Sequence, residues 1–93
     1  MMERIGRIHR AEACIEKYAS CYHKLEADCP VGFKMLMLVN GWHSPFVAIN
    51  ELLKVIYTEE ALIKKDGFKF RDLGYKSRYR ELERLVQKYV NER

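Results

Sequence analysis

The feature that most limits how this chain can fold is a run of apolar residues near its start. Ile8, Ala11, Ile15, Tyr18, Tyr22 and Leu25 recur at intervals of three and four. That interval places all six on one side of a helix, because an α-helix turns once every 3.6 residues. His9, Glu16, Lys17, Ser20, His23 and Lys24 fall on the opposite side. A strand would need alternation instead. The pattern therefore predicts one long amphipathic helix over residues 3–28, with an apolar stripe that must be covered by other helices.

Three further helices are expected. Pro30 suits the first turn of a new helix, where its missing amide hydrogen would have no partner. The segment "VGFKMLMLV" has a strand's length, but Met and Leu favour a helix and only Val31 and Val39 are β-branched. It reads as a short, nearly all-buried helix ending at Asn40-Gly41, with Gly41 as the left-handed cap. "SPFVAINELLKVIY" has the clearest start signal: Ser44 as N-cap and Pro45 at the first helical position. Phe46, Ile49, Leu53 and Ile56 line one face of this helix, with Leu52 beside them. It either continues to Gly67 or breaks at Thr58, which could cap a separate short helix.

"GFKFRDLG" interrupts the helical period. Phe68 and Phe70 alternate with Lys69, as in an extended connector that tucks two rings into the core. A final helix starts with Asp72 or Ser77 as N-cap and runs to about Asn91. The expectation is a single domain over residues 1–93, an all-α, compact bundle of four to five helices with short turns. Its 93 residues lie near the lower size limit for independent folding, and a homodimer would add core.

The last helix is unusual in its charge. Tyr75, Tyr79, Leu82, Leu85, Val86, Tyr89 and Val90 occupy an arc of about 140° at 100° per residue. Lys76, Arg80, Arg84 and Lys88 form a row on the opposite, solvent side. Like charges four residues apart cost roughly 0.2–0.5 kcal/mol per pair. A Glu81–Arg84 pair would offset part of this cost. An external anion would relieve it. Seven basic and two acidic residues lie between Lys64 and Arg80, and Lys64, Lys65, Lys69 and Arg71 would extend the patch if the connector reaches that side. The net charge of +4 fits a partner rich in phosphate or carboxylate. Rings interleaved with these charges, Phe68, Phe70, Tyr75 and Tyr79, would stack on bases if exposed. Buried, they would be core.

Other functional classes find less in the residues. Cys14 and Cys21 would lie about 10 Å apart on one helix, too far for a disulfide. No Cys-x2-Cys spacing occurs, so no metal or cofactor is expected. Reduced thiols and an N-terminal segment without an apolar core point to a cytoplasmic protein. No stretch is long enough to span a bilayer. A basic face that opposes the core face of its own helix also argues against a membrane partner. Trp42, in the turn "NGWHSP", would either plug the end of the core or anchor an interface. No Gly-rich phosphate loop, Ser/His/Asp arrangement or carboxylate pair suggests catalysis.

One stretch, "RIGRIH", places Arg4 and His9 five apart. This resembles the Arg-x4-His spacing of HEPN ribonucleases, and the resemblance implies a helical dimer that cleaves RNA without metal. It covers six residues, and Ile5 stands where that family usually has a polar residue. The functional expectations follow in this order: a non-enzymatic regulator docking nucleic-acid phosphates on the last helix; an inhibitor, adaptor or immunity-type module meeting an acidic protein; and a HEPN-like ribonuclease.

Overall fold

A computed structural model describes residues 1–92. Its helices are α1 (Met2–Tyr18), α2 (Val31–Asn40), α3 (Pro45–Lys65) and α4 (Tyr79–Val90). Single 3-10 turns lie at Ala19–Cys21, Glu26–Asp28 and Phe70–Leu73. There is no strand among the described residues. The all-α class and the number of helices agree with the sequence. The connections, residues 19–30 and 66–78, are longer than short turns.

The core lies between α1 and α3. Ile5, Ile8, Ala11, Ile15 and Tyr18 of α1 meet Ala48, Ile49, Leu52, Leu53, Ile56 and Ile63 of α3 in one buried cluster. The two helices are antiparallel: Arg4 and Arg7 near the start of α1 bind Glu59 late in α3. At the other end, Tyr22 beyond α1 meets Phe46 and Asn50 early in α3. Helix α4 closes the remaining side with Leu82 and Val86. It too runs against α3, since Tyr79 at its start lies by Tyr57 and the Val90 carbonyl at its end bonds the His23 ring at 3.2 Å.

The start of α3 is built as its sequence indicates. Ser44 Oγ accepts from the Val47 amide at 3.2 Å, and Pro45 occupies the first turn. Helix α3 does not break at Thr58. Ile63 extends the buried stripe by two turns, and Glu59 and Glu60 are held by groups from outside the helix. Helix α2 ends at Gly41 with φ 69°, where the Trp42 amide donates to the Met37 carbonyl at 2.9 Å. A residue with a Cβ would be strained at that φ.

Four expectations are corrected. The first helix ends at Tyr18, not Asp28. Ser20, Cys21, Tyr22 and His23 are all weak helix formers, and a tight turn there brings Tyr22 edge-on to Phe46 at 5.1 Å. Leu25 is thereby lost from the stripe and is 74% exposed. Helix α2 is not nearly all buried: Phe33 and Met37 face the core, while Val31, Met35, Leu38 and Val39 face solvent. The connector is not extended throughout, because Phe70 opens a 3-10 turn. Phe70 is half-buried, edge-on to Tyr75 at 5.0 Å, and Phe68 stays exposed. Lastly, α4 begins at Tyr79. Of the two proposed caps, Ser77 takes part, its Oγ accepting from the Tyr79 amide at 3.4 Å.

The three thiols are free. The distance that separates Cys14 from Cys21 along a helix does not apply once α1 stops at Tyr18. The pair brought together is instead Cys21 and Cys29, both buried. Burial, and then the adjacent Cys21 thiol, push the Cys29 thiol up to about 11. It is therefore protonated and poorly nucleophilic at neutral pH.

Candidate nucleic-acid interface

Amphipathicity sets the orientation of α4. Leu82 and Val86 are buried, and Tyr79, Leu85, Tyr89 and Val90 are half-buried beside them. Arg80, Arg84 and Lys88, at four-residue spacing, are then forced outward, and all three are exposed. Lys76 is exposed as well, but lies in the connector before the helix begins.

Of the two acids that might neutralise this face, Glu81 is engaged elsewhere. Glu81 does not pair with Arg84. It turns to Arg78, accepting from Nε at 3.3 Å. Arg78 also binds Glu16 of α1, tying α4 to that helix. Its hydrogen bonds with Glu81 and then Glu16 hold Arg78 protonated, and Arg78 in turn lowers the Glu81 carboxyl. Glu83 is exposed, follows Tyr79 by one turn, and forms no salt bridge among the described residues. Burial raises the Tyr79 phenol, and the Glu83 charge raises it further. Among the described residues, no salt bridge involves Lys76, Arg80, Arg84 or Lys88.

Arg84 also stands on the wall of a groove of about 610 Å³ between α3 and α4. Across from it are Asn50, Lys54 and Tyr57 of α3. Tyr57 is 63% exposed, with its ring 5.8 Å from that of Tyr79. Lys54, Tyr57 and Asn50 were missed in the sequence. Their spacing of four and three residues marks one side of α3, but nothing local says that α4 faces that side.

The other basic residues are placed apart. Lys64 and Lys65 end α3, and Lys69 and Arg71 lie in the connector that follows. All are exposed. Lys64 covers the Phe70 ring at 5.1 Å, and Arg71 lies 3.8 Å from Asp72. Helix α4 runs away from this end, so Arg84 and Lys88 are carried progressively farther from the four. Tyr75 is buried and unavailable for stacking on a base. Trp42 is half-buried against the core. Arg4 is occupied by Glu59 at 3.2 Å and Asp66 at 3.9 Å, while exposed His9 lies 6.2 Å from the Tyr75 ring. No group of three or more metal-ligating side chains occurs among the described residues, and none of their helices is long and apolar enough to cross a membrane.

A second polar cluster joins α1, α3 and the connector. Glu60 accepts from the Tyr75 hydroxyl and from Ser77 Oγ. Glu12 is 5% exposed, and its Oε2 has no hydrogen-bond partner. Burial pushes the Glu12 carboxyl up. His9 and Arg78 partly oppose the shift, while Glu60 and Glu16 add to it. A carboxyl raised in the folded state favours unfolding as pH rises from its unfolded value of about 4.3 through its folded one. Glu12→Gln should therefore stabilise the protein at pH 7 by about 1–2 kcal/mol. The gain should vanish at about pH 3 and below, where Glu12 is protonated in both states. Urea unfolding at the two pH values measures it, and an equal effect at both would exclude a charge origin.

None of the known family models matches the chain, and comparison with curated proteins and with solved structures finds no significant match. Function is therefore read from the chain's own residues.

Proposed function

We propose that the protein is a non-enzymatic, nucleic-acid-associated regulator that docks phosphates on the outer face of α4. One observation supports this above the others: Arg80, Arg84 and Lys88 stand exposed on one face with no salt bridge, while Glu81 beside them is bound to Arg78. Elsewhere on the molecule, Arg4, Arg7, Arg71 and Arg78 are paired with carboxylates, and only Arg10 among the other described arginines is exposed without a salt bridge. A row of like charge without local compensation is relieved by an anionic partner with repeating charge, and a phosphate backbone supplies one. Lys54 and exposed Tyr57 across the groove from Arg84 add a second cation and a ring for a splayed base. Lys76 extends the face at its near end, and Lys64, Lys65, Lys69 and Arg71 would engage only a longer ligand. In keeping with its composition and free thiols, the protein would act in the cytoplasm.

Binding to duplex DNA should weaken steeply with salt. Three neutralised phosphates give a log–log slope of about −2.7, and four give about −3.6. Arg84→Gln should reduce the magnitude by about one unit and weaken all sequences alike, because phosphate contacts position without reading bases. RNA offered as ligand should remain intact. If the protein shows no affinity for either nucleic acid at low salt, the reading fails. The same cations would then face an acidic protein surface, as expected of an inhibitor or adaptor. RNA cleavage lost in His9→Ala would favour the ribonuclease reading instead.

A further inference from the structure

Helix α2 is the most apolar helix of the chain, yet it is the one least enclosed by the others. Phe33 and Met37 attach it to the core, with Leu36 half-buried beside them, and Phe33 stacks on Tyr18 at 4.7 Å. On the far side, Val31 is 73% exposed, Met35 52%, Leu38 72% and Val39 78%. These four recur at intervals of four, three and one, which confines them to an arc of about 100°. They form one continuous outward stripe, opposite the buried one. Lys34 borders it on one side, and no ionisable side chain lies within it. A soluble monomer seldom leaves such a stripe bare, and apolar patches of about 300–600 Å² commonly mark an interaction site.

We infer that this stripe pairs with the same stripe of a second copy, α2 against α2 about a two-fold axis. Charge decides the partner. The chain carries +4, and the outer faces of α1, α3 and α4 all present lysine or arginine. Those of α1 and α4 also carry exposed Glu3, Glu16, Glu81 and Glu83, so two copies meeting through them would have to desolvate charges of both signs. The α2 stripe is the uncharged face, so self-approach there desolvates no charge. An acidic or basic partner gains nothing from it. A two-fold contact also makes the surface its own complement, apolar to apolar, without any second patch.

The length of the helix sets the strength. Ten residues at about 1.5 Å each give a contact near 15 Å long. The area lies below the roughly 800 Å² per partner of a standard interface, so the dimer is weak and reversible, with a dissociation constant on the order of 10 μM or above. Pairing would also enclose a ten-residue helix that has little intrinsic stability of its own. This inference is independent of the phosphate-binding face, since Leu38 and Arg84 lie on different helices.

Sedimentation velocity of the whole chain from about 1 to about 500 μM tests it, spanning the expected dissociation constant. The wild type should pass from monomer to dimer and stop there. Added salt should leave the dimer intact or strengthen it, by screening the net charge. Leu38→Glu should raise the dissociation constant by about 30-fold or more, because it places a charge in an apolar contact. Its circular dichroism should stay unchanged, since Leu38 makes little contact within the monomer. Val39→Gln is the milder second variant, and should weaken the dimer without threatening the fold. A wild type that stays monomeric throughout overturns the inference, as does a dimer that survives both variants. A monomer that pellets with phosphatidylcholine vesicles overturns it in favour of a lipid surface.

Discussion

Replacing Ile15 by alanine should destabilise the protein by roughly 2–5 kcal/mol, the cost of removing a branched side chain and leaving a cavity. Ile15 has no solvent exposure and sits in the cluster where α1 meets α3. Its neighbours Ile8, Ile49 and Ile56 are equally buried and packed on rigid helices, so little can move in to fill the space. For a chain of this size, that loss is a large share of the total stability. Lys17, two residues on, is exposed and rests over the Tyr18 ring at 5.4 Å. Lys17→Ala should change stability by about 0.5 kcal/mol or less. Urea midpoints of the two variants provide the comparison. Equal losses would mean that α1 is rotated from the orientation described.

Glu59→Gln should cost about 1–2 kcal/mol at pH 7. Glu59 receives Arg4 at 3.2 Å and Arg7 at 3.1 Å, so it clamps the start of α1 to the last turns of α3. Burial alone would raise its carboxyl. The hydrogen bonds from Arg7 and Arg4 outweigh burial, and the net shift is downward. A lowered folded-state value means that this contribution is fully present above the unfolded value of about 4.3 and is lost as pH falls through the folded one. The deficit of the variant should therefore shrink on acidification. That slope is opposite in sign to the one expected from Glu12, so stability curves for the two variants separate the carboxylates. A deficit that is constant from pH 7 to pH 3 would show that shape, rather than charge, holds the clamp.

The sequence made the elements legible wherever a local signal sufficed. Ser44 and Pro45 marked the start of α3 because capping is decided within four residues. Methionine and leucine favoured a helix over a strand for residues 31–40 through intrinsic preference. The apolar arc of α4 correctly placed Arg80, Arg84 and Lys88 outside. What the sequence hid depended on tertiary neighbours. An almost wholly apolar segment has no period to show which side is covered, so the bare stripe of α2 was invisible. Glu12 follows Ile8 by four residues and thus lies on the buried side, but its burial depends on how closely α3 and the connector approach. Glu81 has partners on offer at three residues in either direction, and Arg78 wins because Glu16 of α1 fixes it in place.

The way α4 is attached has a dynamic consequence. Only Leu82 and Val86 of this helix are fully buried, and its far end is held by the His23 ring on the Val90 carbonyl. The α1–α3 pair keeps a larger buried cluster without it. Helix α4 can thus detach while the α1–α3 pair stays folded, opening at a free energy below that of global unfolding. Its backbone amides would exchange with solvent sooner than those of α1 and α3. The basic face then rides on a hinged cover, and an anion bound along α4 would act as a latch, slowing that exchange from a distance of several turns.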